Sequence, residues 1–420
     1  MGQAVRSLPL ARGAGTPVKD EQDRLEWVPG NDIRLLQNGA DFFPALCAAI
    51  DAATVSVHLE TYIFMIDRTG AKVLECLAAA ARRGVKVRVV LDGFGSALHG
   101  ERVRVALTNA GAQCRIFRPE PRWFARYVPS RSRLRRLHRK VTIIDGRMAF
   151  IGGINVIDDY DDLDPTDGLT GPRFDFAVQV EGPLVTQAAH AQELLWVRLN
   201  WARLRRHPRD WHRLQLLKPR DVPAPPGGML RAALVLRDNL RFRRTFERAY
   251  LFGISRARRD ILIANAYFFP GVRFRRALAK AAARGVRVRL LLQGKVEYRM
   301  QYHATRSLYD KLLRDGIEIY EYMPGYLHAK VAVIDNVATV GSSNLDPFSL
   351  LLAREANVVV DSQPFAWDLQ ERLETAIREG GRFIRPLDYQ RRGFVRRWID
   401  AASYALLRIG VAFTGTSDKY

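Results

Sequence analysis

The chain has 420 residues, enough for two domains of ordinary size, each with its own core. With 48% hydrophobic and 26% charged residues, the composition is globular and excludes a disordered chain. Lys and Arg total 66 against 44 Asp and Glu, a net charge of +22, so the expected partner is anionic, either nucleic acid or an acidic lipid surface.

The first residues, MGQAVRSLPLARGAG, lack the continuous apolar core of a signal peptide, and Arg6 stands where a myristoylation signal wants Ser or Thr. Residues 1–24 read as a loose arm. No stretch of about 18 apolar residues occurs, so no segment is expected to span a bilayer. Cys47, Cys76 and Cys114 fit no metal-ligand spacing and cannot all pair, and read as small buried hydrophobes in a reducing compartment.

From residue 25 the chain reads as two halves of one plan. VSVHLETYIF at 55–64 parallels ILIANAYFF at 261–269, both as strands. An Ala-rich helix then ends at Gly in each half, and RGVKVRVVL at 83–91 matches RGVRVRLLL at 284–292 as a buried strand. Strand, helix, strand in each half predicts α/β halves with helices covering a largely parallel sheet. KPRDVPAPPGG at 218–228 reads as the linker, since Pro and Gly exclude regular structure. The predicted division is a first domain over 25–215, a linker over 216–227 and a second domain over 228–385.

LHRKVTIIDGRMAFIGGIN at 137–155 returns in outline as LHAKVAVIDNVATVGSSN at 327–344. The first copy holds His138, Lys140, Asp145, Gly152, Gly153 and Asn155; the second holds His328, Lys330, Asp335, Gly341, Ser342, Ser343 and Asn344. Two residues apart on a strand, each His and Lys face the same way. An imidazole beside an ammonium suits an oxyanion and not a metal ion, and Lys with an Asn amide can hold phosphate oxygens. The glycines before each Asn are expected to let backbone approach the ligand. Two histidines permit covalent catalysis, one attacking phosphorus while the other, protonated, donates to the leaving oxygen, with no metal or cofactor required. His58, His99, His190, His207, His212 and His303 have no repeated context and read as incidental. The acidic run DDYDDLDPTD at 158–167 matches no EF-hand spacing and reads as a solvated insertion.

The HxKxxxxD element with its trailing GGxN or GSxN resembles the phospholipase D superfamily, and two copies in one chain resemble its fused members. The resemblance implies two α/β/α sandwich repeats related by a pseudo-two-fold axis, with the active site at their interface. It implies His138 as nucleophile and His328 as acid and then base, with Lys140, Lys330, Asn155, Asn344 and Ser342 on the phosphate. Asp145 and Asp335 complete the catalytic motifs, more as structural supports than as proton carriers. The family also has an acidic residue orienting each imidazole; Glu355 fits in the second half and Asp175 takes the corresponding place in the first. The segment from Asp335 to Gly341 is one residue shorter than that from Asp145 to Gly152 and reads as a tighter hairpin turn.

LLQNGADFFPALCAAI, LDGFGS, IANAYFFPG and GSSNLDPFSL extend the likeness over about residues 27–362, which resemble bacterial cardiolipin synthases of the short class without N-terminal transmembrane helices. That implies transfer of a phosphatidyl group, typically from one phosphatidylglycerol to another with release of glycerol. It also implies a peripheral place on the cytoplasmic face of the bacterial cell membrane, with anionic phospholipid and not nucleic acid as partner. A phospholipase D-type phosphodiesterase and, further off, a nuclease are the alternatives within the same fold. The basic stretch RWFARYVPSRSRLRRLHRK at 122–140, with Trp123, Phe124 and Tyr127, suits an anionic headgroup layer, a solvated loop, or single-stranded nucleic acid. The tail over 386–420 reads as an amphipathic helix with Phe394, Trp398, Ala402, Ala405, Ile409 and Phe413 in one stripe and Arg396, Arg397 and Arg408 among them. It is expected to lie in a membrane interface, or else to pack on the second domain.

Overall fold

The computed structural model describes residues 25–119, 135–160, 171–203, 222–237, 245–346 and 353–413. The arm at 1–24, most of the basic stretch and most of the acidic run lie outside the described residues, as do His207, His212 and the first part of the linker.

The first half contributes β1 (Val28–Gln37), β2 (Ser56–Thr61), β3 (Lys86–Asp92), β4 (Gln113–Phe117), β5 (Lys140–Ile144), β6 (Met148–Gly152) and β7 (Phe176–Glu181). The second contributes β8 (Leu230–Arg237), β9 (Asp260–Asn265), β10 (Arg287–Gln293), β11 (Glu318–Tyr322), β12 (Lys330–Ile334), β13 (Val337–Gly341) and β14 (Glu355–Asp361), with β15 (Gly381–Phe383) added at its edge. The strand order is β15-β11-β10-β9-β12-β13-β14-β8-β1-β7-β6-β5-β2-β3-β4, so the halves mirror one another about the β8–β1 pair. Only β2–β3, β3–β4, β9–β10 and β10–β11 pair in parallel; the other neighbours are antiparallel. The sheet is therefore mixed and not largely parallel, because the motif strands return by tight hairpins, which antiparallel pairing alone permits.

The helices, numbered in chain order, are α1 (Asn38–Ala52), α2 (Arg68–Arg82), α3 (Gly100–Asn109), α4 (Leu184–Arg203), α5 (Thr245–Arg256), α6 (Val272–Ala283), α7 (Arg299–Arg306), α8 (Tyr309–Arg314), α9 (Gln363–Gly380), α10 (Pro386–Gln390) and α11 (Phe394–Phe413). Asp67 caps α2 by accepting from Gly70 N at 2.7 Å. As expected, glycine stops the Ala-rich helices: Gly84 and Gly285 follow α2 and α6 with φ of 90° and 89°, where a side chain would be strained.

Each strand divides its side chains between two cores. Val141, Ile143, Phe176 and Val178 meet Val331, Val333, Val358 and Val360 in one cluster shared by the halves and flanked by α4 and α9. Ile144, Phe150 and Ala177 face a separate cluster under α1, α2 and α3, while Ala332, Ile261 and Ile263 face one under α5 to α8. The period-2 alternation thus produces an α/β/α sandwich in each half and fuses the two through their inner faces. Cys47, Cys76 and Cys114 are buried free thiols in the first outer cluster.

The hairpins after the motif strands differ as their lengths predict. Ile144 pairs with Met148 across three residues, with Asp145 and Gly146 at φ of 50° and 68°. Ile334 pairs with Val337 across only Asp335 and Asn336, with Asp335 at φ of 51°. Asp145 accepts from the backbone N–H groups of Thr54, Val55 and Ser56 at 3.0, 2.8 and 2.8 Å; Asp335 accepts from Arg258, Arg259 and Asp260 at 2.9, 3.0 and 3.1 Å. Each carboxylate clips its hairpin to the start of the strand next door.

These bonds hold the Asp335 carboxyl below the usual aspartate range in spite of its partial burial. Its folded pKa is depressed, so the stabilisation is present above the unfolded value of about 3.9 and lost as pH falls through the folded one. Asp335→Ala should cost about 1–3 kcal/mol by urea denaturation at pH 7, adding left-handed backbone strain to the lost bonds, and the deficit should shrink on acidification. An unchanged urea midpoint at pH 7 would show that the clip does not hold the hairpin.

Candidate active site

The two motifs meet where β5 and β12 begin. Leu137 forms an isolated bridge with Arg354, and Phe174 forms one with Leu327. His138 N donates to Arg354 O at 3.0 Å and His328 N donates to Phe174 O at 2.9 Å. Each histidine is therefore tied by its backbone to the residue just before the other half's carboxylate.

The side chains cross in the same way. His138 Nδ1 lies 3.0 and 3.1 Å from the two oxygens of Glu355, 217 residues away. His328 Nδ1 lies 2.6 Å from Asp175 Oδ2, 153 residues away. Assigning each carboxylate to its own half is thereby corrected: Glu355 serves the first-half imidazole and Asp175 the second. With Nδ1–H given to a carboxylate, Nε2 is left as the nitrogen with a lone pair.

Both lysines fold back on their histidines. Lys140 Nζ donates to His138 O at 2.7 Å, Lys330 Nζ donates to His328 O, and Lys330 Nζ also lies 3.8 Å from Asp175 Oδ2. Burial lowers Lys140 to about 7 and Lys330 to about 8, against the pull of Glu355 and Asp175. Burial also lowers both imidazoles, with Lys330 and Arg173 pushing His328 down further, which favours their neutral forms.

The carboxylates differ. Burial raises Asp175 to about 6, only partly offset by Lys330. Burial acts on Glu355 too, but His138, Lys140 and Arg237 outweigh it and hold Glu355 below its ordinary value. Ser342 Oγ adds a 2.5 Å hydrogen bond to Glu355 Oε2 and accepts from Ala356 N at 3.1 Å. Its hydroxyl is committed to that carboxylate, so Ser342 is not the phosphate ligand expected of it. Gly153 occupies the matching place in the first half, where a Cβ would overlap the Asp175 carboxylate. A Cβ at Gly152 or Gly341 would likewise strike Ala177 or Asn357. These glycines admit the neighbouring strand and its side chains.

Asn155 Oδ1 accepts from Ile63 N at 3.1 Å, which leaves its amide NH2 as the group able to donate to an anion. Asn344 is buried at the matching position. Asp145 and Asp335 do not join the site: five residues along an extended strand from Lys140 and Lys330, they stand about 16 Å away. Of the remaining histidines, His99 Nδ1 accepts from Ile66 N at 2.7 Å, and His303 pairs with Asp400 at 2.8 Å.

Sequence reasoning missed several supports. Asp92 Oδ2 accepts from Leu137 N at 2.8 Å and Gln293 Oε1 accepts from Leu327 N at 2.8 Å, fixing the residue before each histidine. Their signal was present as LDG against LQG at one place in the repeat. The Tyr62 ring lies 4.8 Å from that of His138 and 5.3 Å from Lys140 Nζ. Arg237, fully buried, pairs in register with Glu355 and donates to Ala353 O at 3.0 Å. Glu297 accepts from Tyr267 Oη at 2.6 Å and lies 3.6 Å from Arg173, forming a polar wall beside Lys330. Nothing local in the sequence announces these last contacts.

Two imidazoles, two ammonium groups and two buried carboxylates on a pseudo-two-fold axis define a protein of the phospholipase D fold. Residues 46–160 and 251–377 match the family described as cardiolipin synthase, PLD-like domain. Cardiolipin synthase B of Escherichia coli K12 is 40% identical over 357 residues, covering 84% of this chain and 82% of that protein. A probable cardiolipin synthase of Bacillus subtilis is 31% identical over 390 residues, covering 91% and 72%. Among solved structures, phosphatidylserine synthase of Haemophilus influenzae superposes with a TM-score of 0.67 at 12% identity, covering 94% of this chain and 98% of that one, a likeness of fold. The chain belongs to the cardiolipin synthase family.

Replacing Glu355 by Gln keeps the size of the side chain but removes the charge that faces His138. We expect kcat to fall between about 10²- and 10⁴-fold with KM for the lipid within about twofold, because orientation is lost and binding is not. Equal losses in kcat and thermal midpoint would instead make Glu355 a purely structural residue.

Proposed function

We propose that the protein is a cardiolipin synthase that moves a phosphatidyl group from one phosphatidylglycerol to the hydroxyl of a second and releases glycerol. The observation that carries this reading is the crossed pairing of two imidazoles with carboxylates of the opposite half, beside two buried lysines. Family membership supplies the substrate class, phospholipid, and the net charge of +22 favours work at an anionic surface, here the cytoplasmic face of the bacterial cell membrane.

In the first step His138 Nε2 attacks phosphorus, the bond from phosphorus to the glycerol oxygen breaks, and His328 gives its proton to that oxygen. In the second, neutral His328 takes a proton from the incoming lipid hydroxyl, that oxygen attacks phosphorus, and the bond to His138 breaks. Lys140, Lys330 and the amides of Asn155 and Asn344 hold the non-bridging oxygens.

Burial and the neighbouring cations disfavour the His328 imidazolium, so substrate binding has to favour it. A bound diester carries a negative charge that offsets the lysines and favours the imidazolium, taking a proton from solvent on Nε2 while Asp175 holds Nδ1–H. Glu355 stays ionised and stabilises the positive charge that grows on His138 as it attacks. The difference between the carboxylates thus supports His138 as nucleophile and His328 as acid and base.

His138→Ala and His328→Ala should each reduce turnover by at least about 10³-fold, as groups acting as a unit do. With vesicles of labelled phosphatidylglycerol, mass spectrometry should find cardiolipin and glycerol as main products; dominant phosphatidic acid would make the protein a phospholipase, and comparable cleavage of DNA or RNA a nuclease. Because the lysines bind phosphate only when charged, kcat/KM should fall as pH rises through about 7 to 8. A flat profile to pH 9 would remove the lysines from phosphate binding.

A further inference from the structure

α11 (Phe394–Phe413) is held to the second half by an unusual inner face. Asp400, 3% exposed, pairs with His303 of α7 at 2.8 Å and with Arg392 at 2.7 Å. Tyr404 packs on Phe269 with ring centroids 5.1 Å apart, and Leu407 is buried in the outer core of that half. At about 100° per residue these three positions share one side of the helix.

The opposite side carries Phe394, Val395, Trp398, Ile399, Leu406 and Ile409. They are 78, 70, 65, 42, 61 and 53% exposed, six of the nineteen large apolar side chains exposed among the described residues. Arg391, Arg396, Arg397 and Arg408 are also exposed on or just before this helix. Helices ordinarily bury their apolar face and expose their polar one; here a buried carboxylate–imidazole–guanidinium network does the anchoring and leaves the apolar stripe outside.

Its location matters. Phe269 follows the end of β9, and Asn265 on that end pairs with Lys330 at the start of β12. The loop before α7 carries Glu297, whose charge bears on Lys330, and exposed Val296 and Tyr298, with exposed Met300 on α7 itself. The matching loop of the first half exposes Phe94 and Leu98. α11 thus packs on the end of the molecule where the histidines lie.

We propose that the outer face of α11 is the docking surface by which the protein seats on an anionic phospholipid bilayer, lying in the interface and not crossing it. The occupant follows from charge: arginines beside an apolar stripe match acidic headgroups above acyl chains, whereas a second copy seated on the same face would bring like arginines together. No helix among the described residues is long and apolar enough to span a membrane. The two readings of the tail are therefore compatible: the helix packs on its own half with one face and meets lipid with the other. The inference rests on the reading of phosphatidyl transfer only in that the substrate is supplied by a bilayer.

The test uses the full chain and a Phe394→Glu/Trp398→Glu double variant, with Leu406→Gln/Ile409→Gln as a second variant should the first fail to fold. Binding is read by co-sedimentation with phosphatidylglycerol vesicles, and turnover on those vesicles and on monomeric dibutyryl-phosphatidylglycerol. We expect vesicle affinity to fall at least about tenfold, vesicle turnover to fall with it, and dibutyryl-phosphatidylglycerol turnover and the thermal midpoint to hold. Unchanged vesicle affinity overturns the proposal. So does a wild-type dimer that the variant splits while vesicle affinity is kept, since the face would then belong to a second copy. Should the wild type bind vesicles through this face yet make no cardiolipin, the chemical reading falls and the docking surface stands.

Discussion

Two hydrogen bonds that cross between the halves, His138 to Glu355 and His328 to Asp175, set the terms for the rest of the structure. Neither half holds a complete site, because each imidazole takes its orienting carboxylate from the other. The fused inner core serves that need: a broad apolar contact fixes the two halves to within hydrogen-bond tolerance across the axis. The backbone bridges Leu137–Arg354 and Phe174–Leu327 transmit the register of the core to the side chains.

The electrostatics of the site are those of a socket awaiting an anion. Four basic side chains face two carboxylates in a buried cleft, and burial with mutual repulsion depresses both histidines and both lysines. An anion placed among these groups would relieve that repulsion. The pseudo-symmetry is broken around the two carboxylates. Ser342 and Arg237 attend Glu355, while Asp175 has Lys330 beside it and a glycine where Ser342 would be.

How much of this was legible depends on the range of the interaction. The duplication, the strand–helix–strand start of each half, the Gly stops and the unequal hairpins are local patterns, and the structure reproduces them. Asp145 and Asp335 belong to the motif as letters, but the rise of an extended strand carries them to its far end, where they clip hairpins. The glycines before the Asn residues were legible as close approaches, yet what approaches is a neighbouring strand. The helix at the C-terminus was readable as amphipathic, and its period alone could not say that a buried Asp400 would turn the apolar stripe outward.

The sequence by itself determined the repeated halves, the residue types of the site and the anionic character of its ligand, since spacing along a strand and charge are properties of neighbours in the chain. Tertiary structure alone decided which carboxylate serves which histidine, that Ser342 attends Glu355 and not phosphate, and that Arg237, Tyr62 and Glu297 stand beside the motifs. Those outcomes depend on the register of strands more than a hundred residues apart and on the fit of two faces into one core. No short stretch of sequence encodes such a fit, because it is a property of the whole packed sheet.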